Sequence, residues 1–164
     1  MTSPTAAPRP LAGITVLDFS TLLPGPLAGL MLAEAGARVI KIERPGGEDM
    51  RHHGPIVGEG AAAVSAYYAL LNRGKEMVAV DLKSADALER LRPLIESADV
   101  VLEQFRPGVM ERLGFGYEAL AAINPRLIYC SITGFGATGP RAAAPGHDLN
   151  YQATTGALSI GRLP

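Results

Sequence analysis

The fold is decided between residues 14 and 43, in Ile14-Thr15-Val16-Leu17-Asp18-Phe19, Pro24-Gly25-Pro26, Leu27 to Ala35 and Arg38-Val39-Ile40-Lys41-Ile42-Glu43. The first run is rich in β-branched and aromatic residues and is closed by Pro-Gly-Pro, which reads as a buried strand. Leu27 to Ala35 is apolar almost all round, with Glu34 its single charge, so a buried helix ended by Gly36 is predicted. Arg38 to Glu43 follows as a second strand. Strand, helix and strand within about 30 residues form the βαβ unit of a parallel sheet.

The same alternation continues downstream. Ala61 to Leu71 reads as a helix and Met77 to Leu82 as a strand. Ser84 is the expected N-cap of a helix carrying Leu88, Leu91 and Ile95, with a kink or break at Pro93. Asp99 to Phe105 is a strand, and Arg106-Pro107-Gly108 is a turn. A short helix then covers Val109 to Leu113, and another covers Tyr117 to Ile123 up to Asn124-Pro125. Arg126 to Thr133 is the last strand, and Leu149 onward reads as a helix. The pattern predicts an α/β fold, an open, mostly parallel sheet with helices packed on it.

At 164 residues and 48% hydrophobic content the chain is long enough for one domain with a real core. A formal net charge of −1 gives no electrostatic case for nucleic acid or an anionic membrane. The first ten residues read as a loose tail with no signal-peptide core. The longest uncharged stretch, Phe19 to Ala33, is interrupted by Pro24, Gly25 and Pro26, so no membrane span is expected. A soluble, cytoplasmic protein fits this, as does the single cysteine, Cys130, which sits in an apolar run and reads as a buried structural thiol.

The chemistry concentrates in Pro145-Gly146-His147-Asp148-Leu149-Asn150-Tyr151. If Leu149 begins a helix, His147 and Asp148 sit at its first turn, where the macrodipole favours a carboxylate and disfavours an imidazolium. A neutral imidazole is what a proton-abstracting base requires. The plainer alternative is that Asp148 caps the helix and His147 is a partly buried turn residue. Gly134-Phe135-Gly136-Ala137-Thr138-Gly139 matches the dinucleotide fingerprint by letter, but Pro140 to Pro145 is a poor helix start and no acidic strand end follows. It is better read as a loop leading from the sheet edge to His147. His52 and His53 are adjacent, have no Cys or carboxylate cluster beside them and read as exposed loop residues, so no metal site is expected. Arg44, Lys75, Arg106 and Arg112 recur at loop positions near strand ends, as an acidic ligand with several phosphates would require.

These residues together resemble the class III coenzyme A transferases and the α-methylacyl-CoA racemases (the CaiB/BaiF-like proteins). The resemblance runs through Leu11 to Phe19, Pro24-Gly25-Pro26, Ala37 to Pro45, Leu71-Asn72-Arg73-Gly74-Lys75 and Ala98 to Val101. It continues through Phe105 to Gly108, Arg112-Leu113-Gly114, Gly134-Phe135-Gly136 and Gly146 to Tyr151. It implies a Rossmann-like domain over residues 11–164 with helices on both faces, an acyl-CoA thioester as substrate, no permanently bound cofactor and an interlocked homodimer. His-Asp followed by Leu-Asn-Tyr resembles the racemase branch. There the position of His147 is a base at the substrate α-carbon, and Asp148 lies beside it. Arg112 matches an arginine at the CoA site, and Arg44 and Lys75 match basic positions near the nucleotide phosphates. Both branches also use an aspartate in a Gly-Asp turn further along than residue 164, and a small domain beyond it. The resemblance therefore implies the leading part of such an enzyme, an acyl-CoA racemase by 1,1-proton transfer. CoA transfer through an aspartyl intermediate, or a non-catalytic pairing subunit, are the alternatives.

Overall fold

The structure is a computed structural model that describes residues 9–160. In chain order the elements are β1 (Thr15–Asp18), α1 (Pro24–Glu34), β2 (Arg38–Glu43), β3 (Ile56–Val57), β4 (Val64–Ser65), α2 (Ala66–Leu71) and β5 (Glu76–Ala79). Then come α3 (Ala87–Ser97), β6 (Val100–Glu103), α4 (Val109–Arg112), α5 (Tyr117–Ile123), β7 (Ile128–Ser131) and α6 (Asp148–Thr155). The loose tail expected over residues 1–10 lies, for its first eight residues, outside the described ones.

Five strands form one all-parallel sheet in the order β5-β2-β1-β6-β7, while β3 and β4 make a separate antiparallel pair. The chain builds outward from β1 to one side and then crosses to the other, so the strand order reverses between β1 and β6. At such a switch point the connecting loops diverge and leave a crevice over the carboxyl ends of the strands.

Period 2 sorts the strand residues onto two faces. Leu17, Ile40 and Val101 join Leu91, Ile95, Phe115 and Leu120 in the core under α3 and α5. Val16, Val39 and Leu102 pack on the other face against Ala28 and Leu32 of α1. Helices therefore cover both faces, and the α/β class read from the sequence stands.

Several local expectations are corrected. Of Ala61 to Leu71, only Ala66–Leu71 is α-helical, after a 3-10 turn at Gly60–Ala62, because Val64 and Ser65 are drawn into pairing with Ile56–Val57 and Ser65 caps the helix through Oγ. Ser84 is not the N-cap of α3. Its hydroxyl turns back to the Asp81 carbonyl at 2.8 Å, and Asp86 takes the cap position. Helix α3 runs through Pro93 without ending; the proline is exposed, so the freed carbonyl one turn back faces water. Cys130 is exposed, because β7 is an edge strand with one uncovered side. Helix α1 is only half buried: Leu27 and Met31, on its outer face, are 44% and 64% exposed. Among the described residues no helix is long and apolar enough to cross a membrane.

Candidate active site

Three charged residues stand near the carboxyl ends of β1 and β2, on the face covered by α1. Asp18 lies opposite Lys41 in the β1–β2 register, and Glu43 is two residues further along. A charge inside a strand covered on both faces requires a partner. Asp18 receives the Lys75 ammonium at 2.9 Å, with both side chains fully buried. Lys41 Nζ, equally buried, donates to the Ser20 carbonyl at 2.7 Å and lies 2.9 Å from Glu48 Oε1. Glu43 accepts from Arg51 Nε at 2.8 Å and from the Tyr68 hydroxyl, and the Arg51 guanidinium lies 4.1 Å from the centre of the Tyr68 ring. Burial works to raise the Glu43 carboxyl, but hydrogen bonds from Arg51 and Tyr68 outweigh it and hold the group below the usual carboxylate range. Burial and the Glu43 carboxylate push the Tyr68 phenol well above its ordinary value.

These pairs hold the loop that leaves β1. Glu48 Oε2 accepts the Leu22 N–H at 2.7 Å. Gln104, at the end of β6, donates to the Thr21 carbonyl and accepts the Gly25 N–H at 2.8 Å. In a dinucleotide-binding sheet the first helix would offer its N-terminal amides to a pyrophosphate. Here Pro24 and Pro26 have no N–H, and Gln104 has taken that of Gly25. The helix after β1 is closed to that use, although the sheet order permits it.

The loop from β7 returns the chain to the crevice. Gly134 and Gly146 come together around the ring of Tyr151; a Cβ on either glycine would overlap the Tyr151 hydroxyl. Phe135 packs against the same ring, with centroids 5.3 Å apart. This closes the 134–146 loop onto the start of α6, so the glycine-rich stretch connects the sheet edge to His147. His147 is the N-cap of α6, and its backbone N–H donates to Asn150 Oδ1 at 3.2 Å. The cap is therefore His147 and not Asp148, and the imidazole is exposed rather than partly buried. Asp148 is the first helical residue and accepts from the Gln152 side-chain amide.

His147, Asp148 and Tyr151 line an open cleft of about 710 Å³ whose opposite wall is Leu22, Leu23 and Gln104. The cleft lies over the switch point. Arg44 lines a neighbouring cavity of about 330 Å³ above β2 and β5, with Lys83 and Asp49. Its guanidinium pairs with Asp49, but both side chains are more than 60% exposed, so the pair is weak and exchangeable. Lys75 differs. Its Nζ is spent on Asp18 Oδ2 at 2.9 Å, the Pro26 carbonyl at 2.9 Å and Asn72 Oδ1 at 3.1 Å. An ammonium has three donors, and all are committed to the fold, so this geometry gives Lys75 no phosphate contact. Arg112 stands exposed at the end of α4 and lines neither cavity. His52 and His53 are exposed in the loop after β2. The sequence reading missed Gln104, Glu48 and Lys41. The signal available was Lys41, a lone charge inside an apolar parallel strand.

The chain is thus an α/β protein with an open parallel sheet, a histidine in the switch-point cleft and an arginine-rimmed cavity beside it. The chain belongs to the CoA-transferase family III, whose model matches residues 11–164. It is 45% identical to the acetyl-CoA:oxalate CoA-transferase of Acetobacter aceti, over 99% of this chain and 41% of that protein. It is 43% identical to the human alpha-methylacyl-CoA racemase, over 93% of this chain and 36% of that protein. A crystal structure of a CAIB/BAIF family protein from Brucella suis superposes with a TM-score of 0.84 at 43% identity, covering 90% of this chain and 39% of that one. The chain thus spans about two fifths of the length of the curated relatives it matches.

Proposed function

We propose that the protein carrying this chain inverts the α-carbon of 2-methylacyl-CoA thioesters by 1,1-proton transfer, with His147 as the base on one face. The observation that carries this reading is the position of His147, an exposed imidazole at a helix N-terminus inside the switch-point cleft. A thioester α-proton is weakly acidic, so its removal needs both a base and donors directed at the enolate oxygen. The imidazole takes the α-proton and leaves the electron pair delocalised onto the thioester oxygen. The first-turn N–H groups of Asp148 and Leu149 have no intrahelical acceptor and are suited to that oxygen. Return of a proton to the opposite face completes inversion. That proton needs a second acid, which the family resemblance puts on an aspartate further along than residue 164. Arg44, at the rim of the neighbouring cavity, and Arg112 are the candidates for contacts to the CoA phosphates. Family resemblance also suggests a homodimer.

A second reading, CoA transfer between carboxylic acids, is favoured by relatives named as transferases, among them the succinate–glutarate CoA-transferase of Agrobacterium fabrum. Deuterium incorporation at C2 from heavy water, measured on each enantiomer of 2-methylacyl-CoA, separates the two. The racemase reading expects exchange, with His147→Ala abolishing it from one face while sparing CoA binding. No exchange, together with CoA transfer to oxalate or glutarate, would establish the transferase reading instead.

A further inference from the structure

Tyr151 lines both the His147 cleft and a second cavity of about 330 Å³ that opens beside it. It is the fourth residue of α6, and side chains on a helix lean toward its N-terminus. The ring therefore lies back over the first turn, and its hydroxyl reaches Gly146, the residue before His147. Two glycines make room for that hydroxyl. Neither Gly134 nor Gly146 has a left-handed backbone, so conformation does not demand glycine at either position. A Cβ on either would overlap the oxygen, so space demands it. Tyr151 is tied into the protein through its backbone: its N–H donates to the His147 carbonyl at 3.2 Å, and its carbonyl accepts from the Thr155 hydroxyl at 2.9 Å. Packing against Phe135 uses the ring alone. Among the described residues the Tyr151 hydroxyl has no hydrogen-bond partner, and the half-buried side chain leaves it open to the cleft. The Gln104 amide, on the opposite wall, is already committed to Thr21 and Gly25.

We propose that the Tyr151 hydroxyl is a catalytic donor to the thioester oxygen, a further hydrogen bond beside those of the first-turn N–H groups. The inference rests on the proton-transfer reading and deepens it. As the His147 imidazole takes the α-proton, the C–H electron pair moves onto the thioester oxygen, and the phenol donates a hydrogen bond to that oxygen without losing its own proton. Such a bond strengthens as negative charge develops, so it acts on the barrier more than on binding. It also serves both enantiomers, because the enolate is common to them, whereas a base serves one face.

The test measures deuterium incorporation at C2 of each enantiomer of 2-methylbutanoyl-CoA, and affinity for the same thioester by calorimetry. The parent protein is compared with Tyr151→Phe and with Tyr151→3-fluorotyrosine. Tyr151→Phe keeps the ring and removes one oxygen. The expected result is a fall of about a hundredfold in exchange from both faces alike, as for the loss of one oxyanion donor, with affinity for the thioester unchanged. Unchanged exchange in Tyr151→Phe reduces the tyrosine to packing, and loss from one face only makes it a support for His147; either result overturns the proposal. Tyr151→3-fluorotyrosine keeps the hydroxyl and makes the phenol a stronger donor. Where Tyr151→Phe loses affinity as well, this second variant decides. Exchange faster than the parent's from both faces sustains the donor, and exchange at or below the parent rate overturns it. A parent protein that exchanges neither enantiomer refutes the proton-transfer reading itself, and the donor falls with it.

Discussion

Replacing Asp18 by Asn removes one charge from the centre of the sheet and changes almost no volume. In the parent, Oδ1 accepts the Ser20 N–H at 2.9 Å and Oδ2 faces the Lys75 ammonium at 2.9 Å, with both side chains fully buried. The asparagine can keep the Ser20 contact, but its amide then meets the ammonium donor to donor. Breaking one half of a buried ion pair costs about 3–5 kcal/mol. For a domain of this size that is a fall in melting temperature of roughly 6–20 °C. The Asp18→Asn/Lys75→Met double variant removes both charges and is expected to recover at least half of the loss, with a coupling of about 2 kcal/mol in a double-mutant cycle. Guanidinium denaturation followed by far-UV circular dichroism measures all four corners of the cycle. The double variant also tests what Lys75 is for: if it only partners Asp18, affinity for CoA survives in the double variant. A cost below about 1 kcal/mol for Asp18→Asn would refute the account of the buried pair. A double variant that is stable but has lost tenfold or more in CoA affinity would return Lys75 to the phosphates.

Gly146→Ala puts a methyl group where the Tyr151 hydroxyl lies and should destabilise by about 1–3 kcal/mol while displacing His147. Tyr151→Phe in the same chain should restore part of that stability, and thermal melts of the three variants check it. Acid should also weaken the fold. The folded Glu43 carboxyl is held below its unfolded value, so its contribution is fully present above about pH 4.5 and is lost as pH falls through the lower folded value. Denaturation midpoints measured from pH 6 to pH 3 should fall less steeply in Glu43→Gln than in the parent, and equal slopes would reject this assignment.

Local pattern was enough for the skeleton of the fold. The run Arg38 to Glu43 is a strand over the same bounds in sequence and structure, and Tyr117 to Ile123 is likewise the helix its spacing predicts. Strand alternating with helix made the sheet parallel, because parallel neighbours need a crossover between them. The position of His147 at the start of a helix was also legible, since the signals for a helix end lie within a few residues of it. Strand order and solvent exposure were not local properties. Cys130 reads as buried in its own hexapeptide and is exposed because β7 has a neighbour on one side only. Lys75 looks like a free loop cation until Asp18, 57 residues earlier, is brought to 2.9 Å from it. Glu48 and Gln104 came to matter only when folding brought both to the backbone of the loop that leaves β1. A side chain's propensity is carried by its neighbours in sequence, whereas its partner and its exposure are fixed by chain segments that meet only after the sheet has closed.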